Sequence, residues 1–215
     1  MSEEKTKTIK KYYDYVSVGN RTKQVGYFVQ QHDKNKMFAE LVKTFSDKQV
    51  LVLVKSKRNA DELMNYLKEK DIKSLAIHGN HRASQIQDAQ TGFNSKEITI
   101  LITTSRILET LTLTDVQVYV SYDLPLEAPD YFKGLLLVDE IGESISLIDP
   151  SDERMLATIE QMMKCEMIEV EIENFEHTKN LSTIKKDKTK KPRHKKVQQE
   201  AKRKAQMKAK WVPSE

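Results

Sequence analysis

The sequence predicts an α/β domain in which a mostly parallel sheet is flanked by helices. Strand-like and helix-like stretches alternate along most of the chain, as parallel sheets with crossover helices require. Two of the strand-like runs, Gln49–Val54 (QVLVLV) and Ile98–Thr103 (ITILIT), are apolar throughout instead of alternating. Such runs belong to strands buried on both faces. From Thr178 the alternation stops and the chain becomes low-complexity and basic.

The elements can be read in order. The first 20 residues are polar apart from the Tyr12, Tyr13, Tyr15 cluster and predict an arm or edge segment. Gln24–Gln30 is a short mixed strand. Asp33 is placed to cap a helix whose Met37, Phe38, Leu41, Val42 and Phe45 fall at helical spacing. After the strand at Gln49–Val54, a helix over Asn59–Lys70 is expected, with Asn59 and Glu62 as a capping box and Leu63, Tyr66 and Leu67 as its apolar stripe. The unit repeats with a strand over Ser74–Ile77 and a helix over Ser84–Phe93, capped by Ser84 and Gln87. The strand Ile98–Thr103 and a short helix around Arg106–Thr110 come next. Strands at Val116–Ser121 and Ser144–Ile148 complete the sheet, and Asp149-Pro150 opens a last helix to about Cys165. The expected organisation is an arm (1–20), one domain (21–168), a connector (169–177) and a tail (178–215).

Charge is divided unevenly. The chain has 215 residues and a net charge of +4. Between Lys179 and Lys210, fourteen Lys and Arg face only Asp187 and Glu200, which is +12 and leaves −8 on the remainder. A tail of this kind cannot bury enough apolar surface to offset ordering, so disorder is expected. Its cations, Lys185, Lys186, Lys190, Lys191, Arg193, Lys195, Lys196, Lys202, Arg203 and Lys204, suit a polyanion and point to nucleic acid. Trp211 could stack on a base.

Several chemistries are disfavoured. No G-x-x-x-x-G-K-[ST] loop occurs, so a self-contained P-loop ATPase is not expected. None of the five histidines, His32, His78, His81, His177 and His194, has a recognisable base or nucleophile partner. His78, before Gly79 at a strand end, reads as a turn residue that bonds locally, and Asp139-Glu140 as surface charge. No catalytic residue, metal site or cofactor is assigned. Cys165 stands alone, as expected for an inert thiol in a reducing cytosol. The start has no secretory pattern and no run is long enough to span a membrane, so a cytoplasmic protein without membrane contact is expected.

Four segments in order, QVLVLVKSKRNADELMNYL, AIHGN, ITILITT and VQVYVSYDLP, resemble the carboxy-terminal RecA-like domain of DEAD-box RNA helicases. The resemblance runs from about Gln24 to Ile148 and implies a single RecA-like, P-loop NTPase-like domain. It also implies a phosphate-backbone edge at motif IV, carried here by Lys55, Ser56, Lys57 and Arg58, with Gly79 and Thr104 beside it. The departures fall where the family's chemistry falls. Ala83 and Ile86 stand for a Gln and an Arg. In motif V (T-D-x-x-x-R-G-x-D), Thr104 is kept, but Ser105, Glu109, Thr110 and Thr112 replace Asp, Arg, Gly and Asp. In motif VI (H-R-x-G-R-x-G-R) the register gives Lys133-Gly134-Leu135-Leu136-Leu137-Val138-Asp139-Glu140, with no arginine, and about three residues are missing before Glu143. An arginine finger is worth about 10³–10⁵ in phosphoryl-transfer rate. The sequence thus points to a non-catalytic RNA-binding module. The alternatives are the second lobe of an ATP-dependent helicase, served by a separate RecA-like ATPase domain, or a scaffold for another protein.

Overall fold

The computed structural model describes residues 14–178 except Ser46 and Asn174, and omits the side chains of residues 139–141. The basic segment from Lys179, and every tail cation named above, lies outside the described residues.

Seven parallel strands form one sheet in the order β3-β4-β2-β5-β6-β1-β7. They are β1 (Lys23–Phe28), β2 (Val50–Val54), β3 (Leu75–Ile77), β4 (Ile100–Thr104), β5 (Val116–Ser121), β6 (Val138–Ile148) and β7 (Ile168–Glu169). The helices are α1 (Tyr15–Arg21), α2 (Lys34–Val42), α3 (Lys57–Glu69), α4 (Ala83–Asn94), α5 (Ser105–Leu108), α6 (Ala128–Leu135) and α7 (Glu153–Met163).

The continuous apolar strands do what burial on both faces requires. In β2, Leu51 and Leu53 join a core built with α4, α6 and α7, while Val50, Val52 and Val54 join a second core built with α2 and α3. In β5 the alternation is interrupted. The N–H groups of Gln117 and Val118 both donate to Gln49 O, and the register with β6 shifts between Val116 and Val118. This bulge leaves Val116 on the face shared with Tyr119, and turns Val118 and Val120 to the other.

Local chemistry moves several boundaries. Ser56, not Asn59, caps α3: its Oγ accepts the Asn59 N–H at 3.1 Å, and the helix starts two residues earlier than the Asn59–Glu62 pattern predicts. Asp33 sits at the N-cap of α2 without a side-chain cap bond, after a 3-10 turn over Gln31–Asp33. Helix α4 begins at Ala83, where Gln85 Oε1 accepts the Arg82 N–H at 2.9 Å, and Ser84 lies inside it. Asp149 does cap a turn, accepting from Ser151 N at 2.7 Å, but the turn is 3-10 over Pro150–Asp152 and α7 follows it. Strand β6 begins six residues before the predicted Ser144.

Three elements were not anticipated. Within the expected arm, α1 is docked: Arg21 Nη2 donates to Leu135 O (2.8 Å) and Val138 O (3.0 Å), Tyr15 stacks on Phe132 at 4.5 Å, and Gly19 faces Met163. Helix α6 carries Pro129 in its first turn and buries Tyr131, Phe132 and Leu135. The Tyr131 hydroxyl donates to Gln24 Oε1 at 2.7 Å, and burial pushes its pKa up to about 12. The expected connector is packed as well. It forms β7, Val170 N–H donates to Gly26 O, and Lys36 Nζ donates to Glu176 O at 2.8 Å while lying over the Phe175 ring.

Among the described residues, left-handed backbone occurs at Asp47, Asp71, Lys96, Asp115 and Lys164, and at no glycine. Gly19, Gly26, Gly92 and Gly134 instead mark close approaches. A Cβ on Gly134 would lie 2.3 Å from Tyr119 Cζ, and one on Gly92 2.7 Å from Ile98 Cδ1.

Candidate nucleic-acid interface

Open parallel sheets bind ligands beyond the carboxyl ends of their strands, where loops gather side chains from separate segments. Here a cleft of about 810 Å³ lies at the carboxyl ends of β2, β4 and β5. It is walled by Leu53 to Lys57, Gly79, Thr104 to Ile107, Glu109, Asp123, Pro125, Leu126 and Asp130. Five residues expected from the sequence, Lys55, Ser56, Lys57, Gly79 and Thr104, therefore meet in one place. Arg58 does not join them. It points outward from α3 and pairs with Glu62 at 2.7 Å. Arg106, the second residue of α5, lines the cleft and was not singled out, although its place two residues after Thr104 was the available signal.

The β2–α3 turn is held by Asp123. Its Oδ2 accepts the Lys55 N–H at 3.1 Å and the Asn59 Nδ2–H at 2.7 Å, and Ser56 Oγ donates to Asn59 Oδ1 at 2.9 Å. Lys57 Nζ donates to Asn80 Oδ1 at 2.6 Å, tying the turn to the loop after β3. That loop is braced by His78, whose Nε2 meets Asp61 Oδ1 at 3.0 Å and whose N–H donates to His81 Nδ1. His78 thus bonds locally, as its place in a turn predicts.

The opposite wall departs from a phosphate site. Glu109, in register with the arginine of motif V, is bonded to Lys133 of α6, which also pairs with Asp130 at 2.7 Å. Hydrogen bonds donated to both carboxylates raise the Lys133 pKa, Asp130 having the larger effect. Among the lining side chains, Lys55, Lys57 and Arg106 are balanced by Glu109, Asp123 and Asp130. The cleft is therefore not a strongly positive surface. At two positions in register with motif VI arginines, Gly134 lies against the Tyr119 ring and Leu137 is half-buried, and between them Leu135 is wholly buried and Leu136 half-buried. Among the described residues, no group of three His, Cys, Asp or Glu is placed to hold a metal ion, and no helix is long and apolar enough to cross a membrane.

Strand order, parallel register and a cleft at the carboxyl edge define a RecA-like α/β domain. Residues 33–136 match the helicase conserved C-terminal domain family, and the chain is similar to DEAD-box RNA helicases. It is 28% identical over 156 residues to the ATP-dependent RNA helicase vasa of Drosophila melanogaster, covering 68% of this chain and 23% of that protein. Among solved structures it resembles a DEAD box protein from the hyperthermophile Methanococcus jannaschii, with a TM-score of 0.65, 26% identity, and 72% of this chain and 43% of that one covered. Saccharomyces cerevisiae Dbp5 bound to RNA and ADP BeF3 shares the fold, with a TM-score of 0.65, 22% identity, and coverage of 70% and 41%. The chain spans between 23% and 33% of the length of the curated relatives it matches.

Proposed function

We propose that this chain is a non-catalytic, helicase-derived module that binds RNA or a ribonucleoprotein. One observation carries the non-catalytic part. The places in register with arginines of motifs V and VI hold Glu109, tied to Lys133, and Gly134, whose side-chain space is filled by Tyr119. Developing charge on a phosphoryl group needs guanidinium or metal opposite it. An acid and aliphatic side chains cannot supply that.

RNA affinity then has two sources. Lys55, Ser56, Lys57 and Thr104 offer backbone contacts at the cleft. Because the cleft's charges balance, most of the attraction comes from the basic tail, whose lysines release counterions from phosphates. Phosphate contacts position the protein without reading sequence, so little base preference follows. Filter binding of the full chain, and of a chain ending at Thr178, at two salt concentrations tests this. The salt slope of the full chain should be the steeper, by about 0.7 per phosphate neutralised on single strands. Equal slopes would remove the tail from the account.

A second reading is favoured by the short span relative to the curated relatives: the domain serves as the second lobe of an ATP-dependent helicase whose ATPase domain is separate. RNA-stimulated ATP hydrolysis on mixing with such a domain would support it over the first. For either reading we place the protein in the cytoplasm, on the strength of its lone thiol, Cys165.

A further inference from the structure

The most unusual buried group lies outside the cleft. Lys34, the first residue of α2, is wholly buried, and its Nζ is enclosed by Asp149 Oδ2 (3.1 Å), Asp123 Oδ1 (3.4 Å) and Asp152 Oδ2 (3.4 Å). These carboxylates come from the end of β5 and from the turn between β6 and α7. One ammonium among three carboxylates is more than packing requires, since an apolar side chain fills space without desolvating a charge.

The second oxygens show where the network leads. Asp149 turns its Oδ1 to Ser151, and Asp152 Oδ2 also accepts the Asp149 N–H, so both remain within their own turn. Asp123 turns its Oδ2 to the cleft, where it holds the Lys55 N–H and the Asn59 amide, and Asn59 in turn engages Ser56. We infer that Lys34 is a positioning residue for the cleft: it fixes Asp123, and Asp123 fixes the turn that presents Lys55, Ser56 and Lys57. The identity of the ligand rests on the RNA reading above. The positioning itself does not.

The physical reason is rotational freedom. A carboxylate whose oxygens face two different elements is pinned only while both are satisfied. Without the ammonium, Asp123 has no partner on the α2 side and rotates toward water, releasing the Lys55 N–H. The turn's cations then lose the fixed spacing that backbone contacts need.

The experiment uses the full chain and three variants. Lys34→Arg keeps the charge. Lys34→Met removes it. The triple variant Lys34→Met/Asp149→Asn/Asp152→Asn removes it while leaving Asp123 as the single carboxylate of the node, which makes folding easier. Amide exchange of Lys55 is compared with that of Ile102 in central β4, and binding of a short oligouridine is measured at low salt. In Lys34→Met or the triple variant, Lys55 should exchange at least about tenfold faster while Ile102 is unmoved, with oligouridine affinity down about tenfold and both near parental in Lys34→Arg. Unchanged Lys55 protection in a folded variant lacking the ammonium would overturn the assignment. So would failure of both charge-removing variants to fold, which would make Lys34 a determinant of the fold alone. If the parent chain does not bind oligouridine, the RNA reading fails, and Lys55 exchange still judges Lys34.

Discussion

The ring of Tyr119 occupies the space that any side chain at Gly134 would enter, with Cζ, Cε2 and the hydroxyl oxygen 2.3–2.6 Å from the position of a Cβ. Tyr119 is wholly buried in the sheet and cannot swing aside without opening the core. The glycine on α6 and the tyrosine on β5 thus form one steric unit. Gly134→Ala should destabilise the domain by about 1–3 kcal/mol through overpacking, and Gly134→Arg by more. Pairing Gly134→Ala with Tyr119→Val should recover part of the loss. Urea unfolding of the three variants checks this, and an unchanged midpoint for Gly134→Ala would contradict it.

Glu109 places a negative charge on the wall opposite Lys55 and Lys57, and Lys133 is partly occupied in neutralising it. Glu109→Gln removes the acid and leaves the Lys133 ammonium paired with Asp130 alone. RNA affinity at low salt should rise by roughly fivefold, the effect of about 1 kcal/mol between exposed charges, and the gain should shrink as salt is added. A fluorescence titration against oligouridine at low and high salt reads both effects.

Acid stability should depend on Asp149. Burial pushes its carboxyl up, but the Ser151 hydrogen bonds and the Lys34 ammonium hold it at about 2, against 3.8 ordinarily. Between those values the unfolded chain binds more protons, so the stability Asp149 confers is complete above about pH 4 and is lost as pH falls toward 2. Asp152 works the other way. Burial raises its pKa, so acid relieves a penalty there. Replacing Asp149 by Asn should therefore lower stability near neutrality by about 2 kcal/mol and leave a smaller further loss at pH 3 than the parent shows. Chemical denaturation at the two pH values makes the comparison.

Arg21 anchors α1 through two backbone carbonyls, Leu135 at the end of α6 and Val138 at the start of β6. Arg21→Ala leaves both without their charged donor and should cost about 1–3 kcal/mol. Limited proteolysis should then cut near residues 15–22 sooner than in the parent. Equal resistance would mean that Tyr15 and Gly19 suffice to hold the helix.

What the sequence makes legible follows from how local each signal is. The runs at Val50–Val54 and Ile100–Thr104 declare their burial residue by residue, and Val116–Ser121 is read without error. Helix α1 is not legible. Its YVSVGNR sequence has weak helical propensity and is stabilised by contacts with α6 and α7, more than 100 residues away. The start of α3 is misread because Asn59 looks like a cap, whereas its amide serves Asp123. The cleft's positive edge is legible because Lys55, Ser56 and Lys57 are contiguous. The Lys34 node is not, since its carboxylates lie 89, 115 and 118 residues downstream. Arg58 shows the limit of reading a basic run as one surface, because helical geometry turns it toward Glu62.

The distribution of torsion angles has a consequence for how this body can change. The chain spends its glycines on proximity: Gly19, Gly26, Gly92 and Gly134 each admit a neighbour's side chain, while the five left-handed positions are held by aspartates and lysines. Substitution is thus dangerous at these four glycines and permissive at Asp47, Asp71, Lys96, Asp115 and Lys164, where each L-residue carries roughly 1–2 kcal/mol of steric penalty that a missing Cβ would relieve. The margin for hardening this domain lies at its corners, well away from the cleft.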